Sequence, residues 1–287
     1  MSEAGYEPID VGDGRRLERF GPVLVDRPAP GAIAPRRTPA AWADVVARFE
    51  RDHGVARWVM VSPLPDPWRF RAEDPGFELE LRPASAGQVG VFPEQAVLWA
   101  SIARAIRSWR AGRAGSPERP PEVLSLFAYT GAATLACAAA GASAVHVDAS
   151  RTAVAWARRN ASLSGLAAAP VRWIADDVVA FAEREARRGR RYDAIVLDPP
   201  TYGHGSAGRA WRIERDLEPL LDSLAGLLSQ TPAVVALSAH TPELDARRLG
   251  DLLDRFGPGP ATHGDLGLVA RSGAPLLLGA YAMWAPS

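Results

Sequence analysis

The chain has 287 residues, 47% of them apolar and 23% charged. That composition excludes wholesale disorder, and the length allows one large domain or a main domain with a smaller companion. The 33 basic residues balance the 33 acidic ones, which argues against tight nonspecific binding to nucleic acid.

Every basic residue is Arg. This reads as a coding bias that also enriches Ala and Pro; the alternative is recognition of phosphate or carboxylate, which suits the planar guanidinium fork. The Arg run at 184, 187, 188, 190 and 191 reads as a solvated helix end, where cations suit the dipole. No apolar run reaches the roughly 18–20 residues that a spanning helix needs, so no membrane association is expected. The first eight residues are acidic and polar, without the apolar stretch of a secretory signal. The single cysteine, Cys137, excludes a disulfide framework and a Cys-based zinc site. A reducing, cytoplasmic setting is expected. The histidines show no metal-ligand spacing, and no metal is expected.

Residues 1–90 are punctuated by Pro22, Pro28, Pro30, Pro35, Pro39, Pro63, Pro65 and Pro67. Such spacing allows only short elements. Residues 42–51 are expected to form one helical patch, and 77–81 alternate as a half-buried strand does. The segment reads as a small β-rich module, and 91–287 as the main domain. There, 97–109 carries Val97, Leu98, Ile102, Ala105, Ile106 and Trp109 at helical spacing.

A regular series follows. Strands are expected at 123–127, 144–147, 171–174 and 192–197, and helices at 132–140, 151–164 and 178–188. Further on come a helix at 217–228, a strand at 233–237, a helix at 244–256 and a closing hairpin near 265–270 and 275–284. Strand and helix alternating at this spacing implies an α/β, Rossmann-like domain with a mostly parallel sheet. A parallel sheet that ends in an antiparallel hairpin is the outline of a class I methyltransferase.

In open α/β sheets, ligands sit beyond the carboxyl ends of the strands. The first strand delivers Phe127, Tyr129, Thr130 and Gly131. One glycine is not the three-glycine fingerprint that admits a pyrophosphate. It permits close approach of an uncharged linkage, and S-adenosyl-L-methionine, which has no phosphates, fits that description. Its carboxylate can use backbone donors at the helix start. The second strand delivers Asp148, an acceptor for two ribose hydroxyls that would equally suit NAD. Ser150 follows, well placed to cap the next helix. The third delivers Asp176 and Asp177; one can cap and the other meet an adenine amino group, and the sequence does not separate them.

The fourth strand delivers Asp198, Pro199, Pro200 and Tyr202. Two prolines cannot continue a strand or open a regular helix turn. Asp198 and the Pro199 carbonyl can accept from a substrate amino group, and Tyr202 can stack on a planar base. A glycine-rich loop at 203–208 follows, with His204 as a candidate base.

These segments resemble the class I S-adenosylmethionine-dependent methyltransferases, in particular the bacterial large-subunit ribosomal RNA methyltransferase group. The resemblance is carried by Leu124-Ser-Leu-Phe-Ala-Tyr-Thr-Gly131, Val147-Asp-Ala-Ser150, Ala155-Trp-Ala-Arg-Arg-Asn160 and Tyr192-Asp-Ala-Ile-Val-Leu-Asp-Pro-Pro200. Gly87-Gln-Val-Gly-Val-Phe-Pro-Glu-Gln95 resembles the stretch that precedes the family's catalytic domain. The resemblance implies that Phe127, Tyr129, Thr130 and Gly131 line the methionine end of the donor. Asp148 would take the ribose, Asp176 or Asp177 would sit near adenine, and Asp198 to Tyr202 would face the methyl. Asn160 would be structural.

Relatives that methylate a cytosine ring carbon use cysteine nucleophiles. Here the place after the fifth strand reads Leu237-Ser-Ala-His240, so a covalent route is not expected. The reading is direct displacement onto a nitrogen of an RNA base, ribosomal RNA by resemblance. The alternatives are a small-molecule or protein methyltransferase, or a donor-binding assembly factor without turnover. The sequence does not indicate an oligomeric state.

Overall fold

The computed structural model describes residues 5–52, 54–113, 119–203 and 210–286. The chain forms two compact units. The first holds the N-terminal residues as far as Glu73, together with Glu78–Glu94 and Gly267–Leu278. The second holds Asp74–Phe77, Gln95–Leu266 and the residues from Gly279 onward. The division therefore does not fall at one chain position, because the tip of the last hairpin belongs to the first unit.

The first unit is built on a five-stranded sheet of β1 (Tyr6–Gly12), β2 (Arg15–Phe20), β3 (Val23–Pro28), β4 (Ala47–Asp52) and β5 (Val55–Met60), adjacent in chain order. All neighbours are antiparallel except β3 and β4. Ile9, Leu17, Leu24, Trp42 and Val45 form a buried cluster beneath it. The helical patch expected at 42–51 is not formed. A 3-10 turn covers Pro39–Asp44 and β4 follows. The reason is visible in the burial: Ala47 and Phe49 are buried while Arg48 is exposed, the period-two pattern of a strand. Within the turn, Trp42 donates its indole N–H to buried Asp10 at 3.0 Å. A short two-stranded ribbon, β6 (Arg69–Ala72) and β7 (Phe77–Glu80), completes this part of the chain.

The second unit opens with α1 (Ala96–Ala111), which buries Leu98, Trp99, Ile102, Ala103 and Ile106. Val97, read from the sequence as part of that stripe, is instead 48% exposed. The remaining elements are β8 (Glu122–Leu126), α2 (Ala132–Ala139), β9 (Ser143–Asp148), α3 (Arg151–Leu163), β10 (Val171–Ala175), α4 (Val178–Arg187), β11 (Ala194–Leu197), β12 (Tyr202–Gly203), β13 (Trp211–Arg212), α5 (Ile213–Ala225), β14 (Val234–Ala239), α6 (Ala246–Leu253), β15 (Ala261–Val269) and β16 (Pro275–Trp284).

The central sheet has the order β10-β9-β8-β11-β14-β16-β15. The first five strands are mutually parallel, and β16 runs antiparallel to β14. This is the Rossmann-like sheet with an antiparallel hairpin that the strand–helix series implies. Its strands are apolar runs because helices cover both faces. One core joins Leu124, Leu126, Val147, Ile195, Leu197, Leu237 and α5. The other joins Val123, Ala144, Ala194, Val196, Ala236 and α1. No helix among the described residues is long and apolar enough to cross a membrane.

Candidate functional site

From β8 the chain steps to β9 and β10 on one side, then returns to β11 on the other side of β8. That reversal opens a crevice between the loops after β8 and β11. The strand ends are level. Leu126 pairs with Val147 and Leu197, Leu197 with Leu237, and Asp148 with Ala175. The residues that follow these strands therefore emerge along one edge.

The loop after β8 is a tight, left-handed path. Phe127, Tyr129 and Gly131 have φ of 51°, 47° and 95°, a region unfavourable to side-chain-bearing residues. Two contacts hold it there. Asp148 Oδ2 accepts from the Tyr129 amide at 2.8 Å. Buried Asn160 of α3 donates from Nδ2 to the Thr130 carbonyl at 2.9 Å. Gly131 is required twice, since a Cβ there would also lie 3.0 Å from the Ala157 Cβ. Under the loop, Thr134 Oγ shares hydrogen bonds with Ser125 Oγ at 3.0 Å and His146 Nδ1 at 2.9 Å. Burial lowers the His146 pKa to about 3 and keeps the ring neutral.

Asp148 is half-buried at the end of β9. Its other oxygen accepts from the Ser150 amide at 2.8 Å. Burial raises its pKa, and the two amide hydrogen bonds oppose that shift. Each carboxylate oxygen retains a lone-pair direction for a further donor. The Ser150 hydroxyl caps α3 by accepting from the Ala153 amide.

The structure separates the acids after β10. Asp177 is the N-cap of α4, accepting from the Ala180 amide at 2.8 Å. Asp176 accepts from the Asp177 amide at 2.8 Å and is paired with Arg184, about two helix turns further along. Part of the Arg run thus has specific partners: Arg188 and Arg190 also pair, with Glu185 and Glu122.

After β11, Asp198 is gripped from two other elements. Its Oδ1 accepts from Ser238 Oγ of β14 at 2.7 Å, and its Oδ2 from Gln95 Nε2 at 2.7 Å. His240, just past β14, brings Nε2 to 3.7 Å from Asp198 Oδ1 and 3.2 Å from Gln95 Nε2. Room for that ring comes from Gly279, where a Cβ would stand 3.0 Å from His240 Nδ1. Pro199 is buried and Pro200 exposed. Trp211 donates its indole N–H to the Pro200 carbonyl at 2.7 Å and packs its ring 4.8 Å from Phe127. Tyr202 lies on the outside, 65% exposed. Gln95, Ser238 and Trp211 were not singled out as site residues from the sequence; only the topology reveals them. His204 and the rest of 204–209 lie outside the described residues.

A sequence model described as S-adenosylmethionine-dependent methyltransferase matches residues 56–243. The chain belongs to this family. It is 40% identical over 112 residues to ribosomal RNA large subunit methyltransferase K/L of Methylococcus capsulatus, which covers 38% of this chain and 15% of that protein. It is 36% identical over 108 residues to ribosomal RNA large subunit methyltransferase K of Neisseria meningitidis, covering 37% and 30%. The chain thus spans less than a third of the length of these curated relatives. Among solved structures it is similar to the SAM-dependent methyltransferase from Agrobacterium tumefaciens, with 34% identity and a TM-score of 0.88 over 98% of this chain and 90% of that one.

S-adenosylmethionine is the methyl donor of this methyltransferase family, and the crevice has the chemistry to fit it. A half-buried carboxylate suits a diol, a glycine with no room for a Cβ suits close approach, and the start of α2 offers amides without intrahelical partners to a carboxylate. Cys137, by contrast, is buried in α2, and desolvation pushes its thiol up to about 12. It cannot serve as the nucleophile of a covalent route. Among the described residues no group of His, Cys, Asp and Glu is arranged to hold a metal ion.

Proposed function

We propose that this methyltransferase transfers a methyl group to a nitrogen of an RNA base, with ribosomal RNA as the acceptor, in the cytoplasm. The observation that carries the reading is the level emergence of two loops at the sheet reversal. One is the left-handed 127–131 loop; the other is the Asp198-Pro199-Pro200 loop, with its carboxylate held on both oxygens. The names of the curated relatives supply the acceptor class.

On this reading Phe127, Tyr129, Thr130 and Gly131 line the methionine end of the donor. Asp148 accepts from the ribose hydroxyls, with Ser150 donating behind it. Asp176 lies toward the adenine, and Asp177, as the helix cap, supports it. Bound donor supplies a methyl carbon already activated by its sulfonium, so the protein's task is alignment. Asp198 and the Pro199 carbonyl accept hydrogen bonds from the acceptor amino group, which aims the nitrogen lone pair. The proton released as the new bond forms passes to Asp198 and on to solvent. Pro200 stiffens the turn, and Tyr202 supports the planar base by stacking.

The test is transfer of labelled methyl from S-adenosylmethionine to total RNA from a host lacking this gene. Label confined to one large-subunit fragment, recovered as an N-methylated nucleoside, is the expected result. Labelled protein or metabolite with unlabelled RNA would overturn the acceptor assignment.

A further inference from the structure

On the outer side of the Asp198 loop, β12 and β13 form a two-stranded antiparallel ribbon in which Tyr202 stands directly opposite Arg212. The Arg212 guanidinium carbon lies 5.9 Å from the centre of the Tyr202 ring. Tyr202 is the one aromatic residue among the large apolar side chains exposed in the described structure. Arg212 is exposed too, and among the described residues no carboxylate forms an ion pair with its guanidinium. Asp216 accepts from the Arg212 amide and is paired with Arg215.

This ribbon is fixed to the site. Trp211, next to Arg212, is tied to the Pro200 carbonyl and packs on Phe127. The Thr201 carbonyl, next to Tyr202, accepts from the Ile213 amide at 3.1 Å. An exposed aromatic ring, with a guanidinium over it that no carboxylate of the described residues pairs, both anchored to the Asp-Pro-Pro turn, matches one repeating chemistry. That chemistry is a flat base joined through a sugar to a phosphate. Base stacking on an aromatic ring and phosphate contact by Arg are the two ordinary terms of single-strand recognition.

We propose that Tyr202 and Arg212 form a clamp for a single-stranded polynucleotide, the base stacking on Tyr202 and its neighbouring phosphate meeting Arg212. The acceptor is thereby recognised as part of a strand, and a free base or nucleoside engages only half of the clamp. This inference rests on the RNA reading of the site.

The probe is a fluorescein-labelled single-stranded RNA of mixed sequence, about twelve nucleotides long, a length that covers an ordinary single-strand site. Its anisotropy is followed over a salt series, with S-adenosylhomocysteine affinity measured by calorimetry. Arg212→Ala is expected to bind about fivefold more weakly at 0.1 M salt and to lower the slope of log affinity against log salt by about 0.7. Arg212→Gln, which keeps a hydrogen-bonding side chain, should show the same loss of slope. Tyr202→Ala should weaken binding with the slope unchanged. S-adenosylhomocysteine affinity of both Arg212 variants should stay at the wild-type value. Wild-type RNA binding with an unaltered slope in both Arg212 variants would overturn the clamp and leave the RNA reading standing. Wild-type protein that binds this RNA no better than polyglutamate would overturn the RNA reading itself.

Discussion

Gln95 donates from Nε2 to Asp198 Oδ2 at 2.7 Å across a sequence separation of 103 residues. With Ser238 on the other oxygen, the carboxylate has one orientation before any acceptor arrives. Losing a hydrogen bond to a charged group costs about 1.5–3 kcal/mol. Gln95→Leu is therefore expected to lower kcat by roughly 10- to 100-fold, with donor affinity unchanged. Steady-state kinetics beside calorimetric donor binding check this. An unchanged kcat would show that the grip on Asp198 has no part in the chemistry.

Gly131 combines a φ of 95° with a Cβ position 3.0 Å from Ala157. Gly131→Ala must move α3 or the loop, and strain of this kind costs on the order of 1–3 kcal/mol. Donor affinity should fall by at least about tenfold, since 1.4 kcal/mol corresponds to that factor. The thermal midpoint should fall with it. Wild-type donor binding by a stable variant would remove the 127–131 loop from the donor site.

His146 supplies a pH signature. It is fully buried, and burial holds its pKa near 3 in the folded chain. An unfolded histidine titrates near 6.5. Below that value the unfolded state takes up a proton that the folded state refuses, so stability falls with pH between about 6.5 and 3. At pH 5 this contribution is about 2 kcal/mol. Chemical denaturation of His146→Gln should show a correspondingly smaller loss of stability between pH 7 and pH 5 than wild type. Parallel pH dependence of the two proteins would contradict the assignment.

Cys137 is buried, and its thiol is pushed up to about 12. Native protein should resist iodoacetamide, and Cys137→Ala should keep kcat within about twofold, because a buried, protonated thiol is inert. Abolished turnover in a folded Cys137→Ala variant would revive a covalent route.

The sheet was legible because its strands are short apolar runs closed by glycines or acids, a pattern local to each run. The same locality revealed Asp148, Asp176, Asp177 and Asp198, each at a strand end. It failed at 42–51, where Ala, Trp and Val invite a helix while the alternating burial of Ala47 and Phe49 makes a strand. It also could not divide the work of Asp176 and Asp177, which depends on which side chain turns back to the Ala180 amide and which meets Arg184. Gln95, Ser238 and His240 stand in segments that the sequence marks, but their convergence on Asp198 is beyond local reading. They reach Asp198 because β14 lies beside β11 and because Gln95, the residue just before α1, bonds to Asp198 and lies 3.2 Å from His240 Nε2.

The most direct test of the account compares wild type, Asp198→Asn and Asp198→Ala in transfer of labelled methyl to large-subunit ribosomal RNA, with donor affinity measured on the same preparations. Both variants should bind S-adenosylhomocysteine as wild type does, yet lose at least about a hundredfold in transfer rate, the scale of a lost acid–base and orienting group. Methyl transfer at the wild-type rate by either variant would contradict the placement of the reaction at the Asp198-Pro199-Pro200 turn.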